Sequence, residues 1–94
     1  MLQSSQLRAA RALLGWRQED LAEAADVGLA TLARIEQGTG VVQGNFSTIM
    51  KLQSTLELQG ISFINDASGY GVRFERSTTP PPKQPKRRAR RQRV

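Results

Sequence analysis

Between Gly15 and Gly38 the chain reads GWRQEDLAEAADVGLATLARIEQG, and few folds can accommodate this pattern. Small and apolar residues recur at helical spacing over residues 18–25 and again over residues 29–37, with only Asp26, Val27 and Gly28 between them. Leu21, Ala22 and Ala25 fall on one side of the first segment, and Leu32 and Ile35 on one side of the second. Ala22 lies where any larger side chain would hold the second helix away, and Val27 plugs the turn. The pattern predicts two short helices crossing at a steep angle. Glu19 and Asp20 stand in the first turn of the earlier helix, where its dipole favours acids, and Gly38 closes the later one.

Around this pair the periodicity predicts two more helices. One covers residues 6–14, capped by Ser4 or Ser5, with Leu7, Ala10 and Leu14 on one face and Gly15 as its stop. The other covers residues 46–58, capped by Asn45, with Phe46, Ile49, Leu52 and Leu56 as a core stripe and Gly60 as its stop. The intervening GTGVVQG has the wrong spacing for a phosphate-cradling loop and no completing Lys, so it reads as a flexible interhelical loop. After Gly60 the period changes to two. ISFIN (61–65) and GVRFER (71–76) flank the polar DASGY as a hairpin, with Ile61 and Phe63 on one face and Val72 and Phe74 likewise. A lone two-stranded ribbon is marginal in water. It must fold back on its own helices or pair with another copy's ribbon, and the sequence leaves both open.

Charge divides the chain. Residues 80–94 hold seven Lys or Arg and no acid, whereas residues 1–79 hold seven basic and eight acidic residues. The net +6 and the high pI therefore belong to the end of the chain. From Ser77 onward, four prolines, no aromatic residue and only Ala89 and Val94 as apolar residues predict a disordered Pro-rich arm. Three regions follow: residues 1–60, the hairpin at 61–76 and the arm at 77–94. With neither Cys nor His, thiolate zinc sites, disulfides and most acid–base or triad chemistry are excluded. No enzyme, cofactor, metal or small-molecule ligand is expected. Nothing reads as a secretory leader or a membrane span, which points to a cytoplasmic protein.

The stretch ALLGWRQEDLAEAADVGLATLARIEQG resembles the Cro/repressor-like (XRE) family of bacterial and phage regulators, and NFSTIMKLQSTLELQGISFI continues the likeness, so that it covers about residues 4–75. Gln at the start of the second helix, the Ala, the turn and the final E-x-G carry it. The resemblance implies a mainly α, four-helix, lambda-repressor-like helix-turn-helix domain that binds double-stranded DNA. Three features depart from the family pattern: Arg17 replaces Ser or Thr, Asp26 replaces a turn Gly, and Gly28-Leu29 replaces a polar helix entry. Asp tolerates the left-handed backbone that such a turn requires.

The family's base-reading positions correspond here to Gly28, Leu29, Ala30, Thr31 and Arg34. Arg34 can contact guanine in bidentate fashion, and Leu29 and Ala30 can approach thymine methyls. Arg34 can equally pair with Glu36 or Glu23. Gln18 matches the residue that grips phosphate, and Arg17 and Lys51 are candidate additional phosphate contacts. Lys83, Lys86, Arg87, Arg88, Arg90, Arg91 and Arg93 form the basic arm. The expected function is a dimeric, nucleoid-associated transcriptional repressor or autoregulator. The alternatives are an antitoxin or anti-activator with a protein partner, and a non-specific nucleic-acid-binding protein.

Overall fold

A computed structural model describes residues 2–75. The basic arm, and Arg76 at the end of the expected second strand, lie outside the described residues. Four helices, α1 (Ser4–Leu14), α2 (Gln18–Ala25), α3 (Leu29–Gln37) and α4 (Phe46–Leu58), precede an antiparallel hairpin of β1 (Ile61–Asp66) and β2 (Gly69–Phe74). No helix among the described residues is long and apolar enough to cross a membrane.

The core is built from the inward faces of all four helices. Leu7, Leu21, Leu32, Leu52 and Leu56 are completely buried, and Trp16 between α1 and α2 is buried with them. α2 packs on both α3 and α4, and α1 packs on α3. Ala22, Ala24 and Ala25 are buried, so small side chains on α2 set how closely its neighbours approach. Asp26 takes the expected left-handed conformation (φ 58°) that ends α2. The Val27 N–H then donates to Ala22 O at 2.9 Å, and the Val27 side chain packs against the core.

Several expectations need correction. α1 starts at Ser4 rather than Gln6 and is capped by Gln3, whose N–H donates to the Gln6 side chain at 2.8 Å. Ser4 is buried and turns its hydroxyl to Ile35 O on α3 instead of capping its own helix. The GTGVVQG segment is not a free loop. Gln3 and Val41 form an isolated antiparallel bridge, Ser4 N donates to Gly40 O, Val42 N donates to Leu2 O, and Val42 is buried. Phe46 is 77% exposed, because α4 turns Ile49, Leu52 and Leu56 inward and leaves its first residue outside that arc. The strands run one residue longer on β1 and start two residues earlier on β2 than ISFIN and GVRFER imply, leaving Ala67 and Ser68 as the turn.

The hairpin folds back on its own domain. β2 lies on α1 and β1 on α4. Ile61 pairs with Phe74 and Phe63 with Val72 in the ladder, so these four share the face that packs against the helical core. The buried Gln6 amide donates to Ile64 O and Gly71 O at 3.1 and 2.7 Å, tying α1 to both strands. At Gly60 (φ 106°) the chain leaves α4, and a Cβ there would meet Glu75 O at 2.6 Å, so only glycine fits.

At the turn, Asp66 accepts from the Ser68 hydroxyl at 2.6 Å and from the Ser68 and Gly69 N–H groups at 2.9 and 3.2 Å. The Ser68 hydroxyl first, then the two N–H groups, hold its carboxyl below the ordinary Asp value. A lowered folded-state pKa gives stabilisation that is present above about pH 4 and lost as pH falls through the folded value. Asp66→Asn is therefore expected to remove this acid-dependent loosening of the turn, read from hairpin amide shifts in an NMR pH titration. On α4, Leu52→Ala should cost about 2–5 kcal/mol. Phe46→Ala should stay within about 0.5 kcal/mol. Urea unfolding followed by circular dichroism checks both, and equal losses would place Phe46 in the core after all.

Candidate nucleic-acid interface

α3 buries Leu32, Ile35 and Glu36 and turns its other side outward. Gly28, Leu29, Ala30 and Arg34 are exposed, and Thr31 and Ala33 are half-buried. Ala30, Arg34 and Gln37 form the middle of the outward strip at helical spacings of four and three. Leu29 and Thr31 flank this strip on opposite sides. Sequence reasoning missed the exposed Gln37, although the 30–34–37 spacing contained the signal.

What holds α3 in place is a polar cluster on the opposite side of the helix. The Glu36 side chain is 1% exposed and accepts two bonds from Arg11, Nε to Oε2 at 2.8 Å and Nη2 to Oε1 at 2.7 Å. The same Oε1 accepts from Gln18 Nε2 at 3.1 Å, and Arg11 Nη1 reaches Trp16 O at 3.1 Å. One carboxylate thus joins α1, the start of α2 and the end of α3. A buried charge is tolerable only when paired and hydrogen-bonded, and a bidentate guanidinium supplies the strongest such arrangement.

The last turn of α3 is sealed in the same way. Gly38 follows the helix in extended rather than left-handed backbone (φ −72°, ψ 174°), so the glycine itself does not close the terminal carbonyls. Ser4 Oγ donates to Ile35 O at 3.0 Å, and Arg8 Nη1 donates to Glu36 O and, at 3.3 Å, to Gly38 O. The Arg8 cation also sits at the negative end of the helix dipole.

The candidate contacts therefore divide by role. Glu36 belongs to Arg11, and among the described residues no carboxylate lies within ion-pair distance of Arg34. The Arg34–Glu36 pairing that the sequence leaves open is not the one formed, because two residues' separation turns the two side chains to different sides of the helix. Gln18 is half-buried with one amide N–H committed to Glu36. Arg17 caps α2 through its backbone, its N–H donating to Asp20 Oδ2 at 2.9 Å, while its exposed guanidinium lies 3.5 Å from Glu19. Lys51 is exposed on α4, which packs on α2 and β1. The arm residues from Lys83 to Arg93 lie outside the described residues.

Beside the outward strip the electrostatics change sign. A groove of about 290 Å³ between α2 and the entry of α3 is lined by Glu19, Glu23 and Asp26 over Ala22, Val27 and Leu29. The exposed Arg34 guanidinium on α3 thus has an acidic border beside it.

Removing one partner of the cluster separates its structural from its binding role. Glu36→Ala strands Arg11 and should cost about 3 kcal/mol of folding stability. Arg34→Ala, on the free side of the same helix, should stay within about 0.5 kcal/mol. Parallel urea titrations of the two variants check the contrast.

A helix-turn-helix family model of the Cro/C1 (XRE) type matches residues 7–58, more than half of the chain and nearly all of the four-helix body. No curated protein and no solved structure gives a match. The matched segment contains the crossing of α2 and α3, the small Ala22 beneath it and the Glu36 that holds it. By sequence match and by architecture, the chain belongs to the Cro/repressor-like (XRE) helix-turn-helix family of DNA-binding regulators.

Proposed function

We propose that this protein is a sequence-specific transcriptional regulator, a repressor or autoregulator, that lays α3 in the DNA major groove. The observation that carries the reading is Arg34. It is exposed in the middle of the outward strip of α3, with no carboxylate within ion-pair distance among the described residues, on a helix held from behind by α1. A helix presented in this way enters the major groove, and an unpaired Arg is the side chain suited to guanine O6 and N7. Leu29, Ala30 and Thr31 supply apolar and single hydrogen-bond contacts beside it, and Gly28 allows close approach at the helix entry. Arg17, Lys51 and the second amide hydrogen of Gln18 contact phosphate. Held by Glu36, that amide costs little further ordering when it does so.

These contacts provide discrimination more than affinity, because the folded part is close to neutral. The arm, Lys83 to Arg93, supplies the charge. Seven phosphate contacts per protomer correspond to a salt slope of about −6 per protomer. The regulator works as a homodimer on two half-sites one helical turn apart. Ile64 and Tyr70, exposed on the ribbon, support a second copy pairing there.

A second reading, in which the main partner is another protein, draws on one observation. Phe46, Met50 and Leu58 leave an exposed apolar strip on α4, a feature that suits protein contact. Copurification of a stoichiometric neighbour, lost on Phe46→Ser, favours this reading.

The test of the leading reading titrates full-length protein and residues 1–79 against the protein's own upstream DNA and a scrambled duplex over a range of salt. Truncation is expected to flatten the salt slope by about 6 per protomer. Preference for the upstream DNA should survive truncation, and Arg34→Ala should erode it by about 1–3 kcal/mol. Equal affinity for both duplexes, unchanged by Arg34→Ala, would overturn the assignment of α3 as the reading helix.

A further inference from the structure

Arg34 stands in the last turn of α3, and the residue that follows the helix does not close that turn. The last four carbonyls of a helix lack partners within it, and here they belong to residues 34–37. A left-handed residue after the helix recovers some of them in many helices, but Gly38 is extended. α1 supplies donors in its place. Ser4 Oγ donates to Ile35 O at 3.0 Å within the core. Arg8 Nη1 donates to Glu36 O and, at 3.3 Å, to Gly38 O, so one nitrogen ties down the backbone on both sides of Gln37.

Arg8 differs from the buried Ser4 and the half-buried Arg11 in being exposed. Among the described residues no carboxylate lies within ion-pair distance of it, and its guanidinium bonds backbone oxygens instead. Exposed bonds of this kind add little to global stability, but they decide how often a helix end opens. We propose that Arg8 is a positioning residue for DNA recognition. It holds the last turn of α3 closed and so fixes where Arg34 meets a base edge.

This role rests on the reading of α3 as the DNA-binding helix. A bidentate contact to guanine needs two guanidinium donors aligned on O6 and N7 at once. A side chain on a turn that opens and closes offers that alignment for only part of the time. Affinity for the correct base falls by the fraction of time the turn is closed. Charge-driven affinity for any duplex does not depend on it. Arg8 therefore acts on discrimination, through Arg34, and not on affinity in general.

The test is a double-mutant cycle on the full chain. Its readout is the ratio of affinities for two duplexes: one selected from a random pool by the unaltered protein, and the same duplex changed at the base pair where Arg34→Ala relaxes preference. Arg8→Ala is expected to lower this ratio about threefold to tenfold, part of what one bidentate pair confers. In the Arg34→Ala background Arg8→Ala should leave the ratio unchanged, because a positioning residue acts only through the side chain it positions. The urea midpoint and the salt slope on a scrambled duplex should both stay at their original values. Without DNA, hydrogen exchange at the amides of residues 34–37 should speed up several-fold in Arg8→Ala, while Leu52 and Leu56 keep theirs. An equal loss of ratio in both backgrounds, or unchanged exchange at residues 34–37, would overturn the proposal. So would a salt slope smaller by about 1, which marks Arg8 as a phosphate contact instead. Arg34→Ala separates the two failures. No loss of preference in that variant overturns the reading of α3, and this role with it; a loss there without any effect of Arg8→Ala overturns this role alone.

Discussion

Glu36 carries a charge where water does not reach, and the placement of α3 follows from how that charge is satisfied. Its carboxylate accepts a bidentate guanidinium from α1 and an amide from the first residue of α2. None of these groups can be satisfied without bringing three helices to one point. Apolar packing of Leu21, Leu32 and their neighbours is strong but tolerant of small sliding movements. Directional bonds to a buried carboxylate are not, and an unpaired charge left there would be costly. The cluster therefore adds geometric definition to an attraction that the core already provides.

α1 supports α3 in two further ways. Ser4 and Arg8 take up carbonyls at the end of α3 that an extended Gly38 leaves unclosed. Gln6, two residues from Ser4 and so on the other side of the helix, binds both strands of the hairpin. One helix with polar residues at positions 4, 6, 8 and 11 thus links the α3 terminus on one side to the ribbon on the other. The outward strip of α3 is left with no structural duty, so Arg34 is available for a ligand while Arg8 and Arg11 are not.

Electrostatically the chain is divided against itself. The folded part is nearly neutral and gathers acids beside α3, while the final stretch of sequence is strongly basic.

Much of this architecture is legible in local sequence. The bounds of α2, α3 and α4 follow from helical spacing and from Asp26 and Asn45, because caps and turns act over a few neighbouring residues. The apolar face of the hairpin follows from period two at Ile61, Phe63, Val72 and Phe74, whereas its register is set by the tighter turn at Ala67 and Ser68. What depends on residues far apart in the chain is not legible there. Ser4 looks like a helix cap but bonds an oxygen 31 residues away. Phe46 continues an apolar stripe yet lies outside the arc that α2 and β1 cover. Arg11, Gln18 and Glu36 are three unremarkable polar residues until the helices converge. Sequence by itself determined which segments form helices and strands, to within about two residues at their ends, and most of their apolar faces, because those depend on period and short-range sterics. Tertiary structure alone decided which charges are buried and which remain free, because that depends on what each side chain meets across the fold.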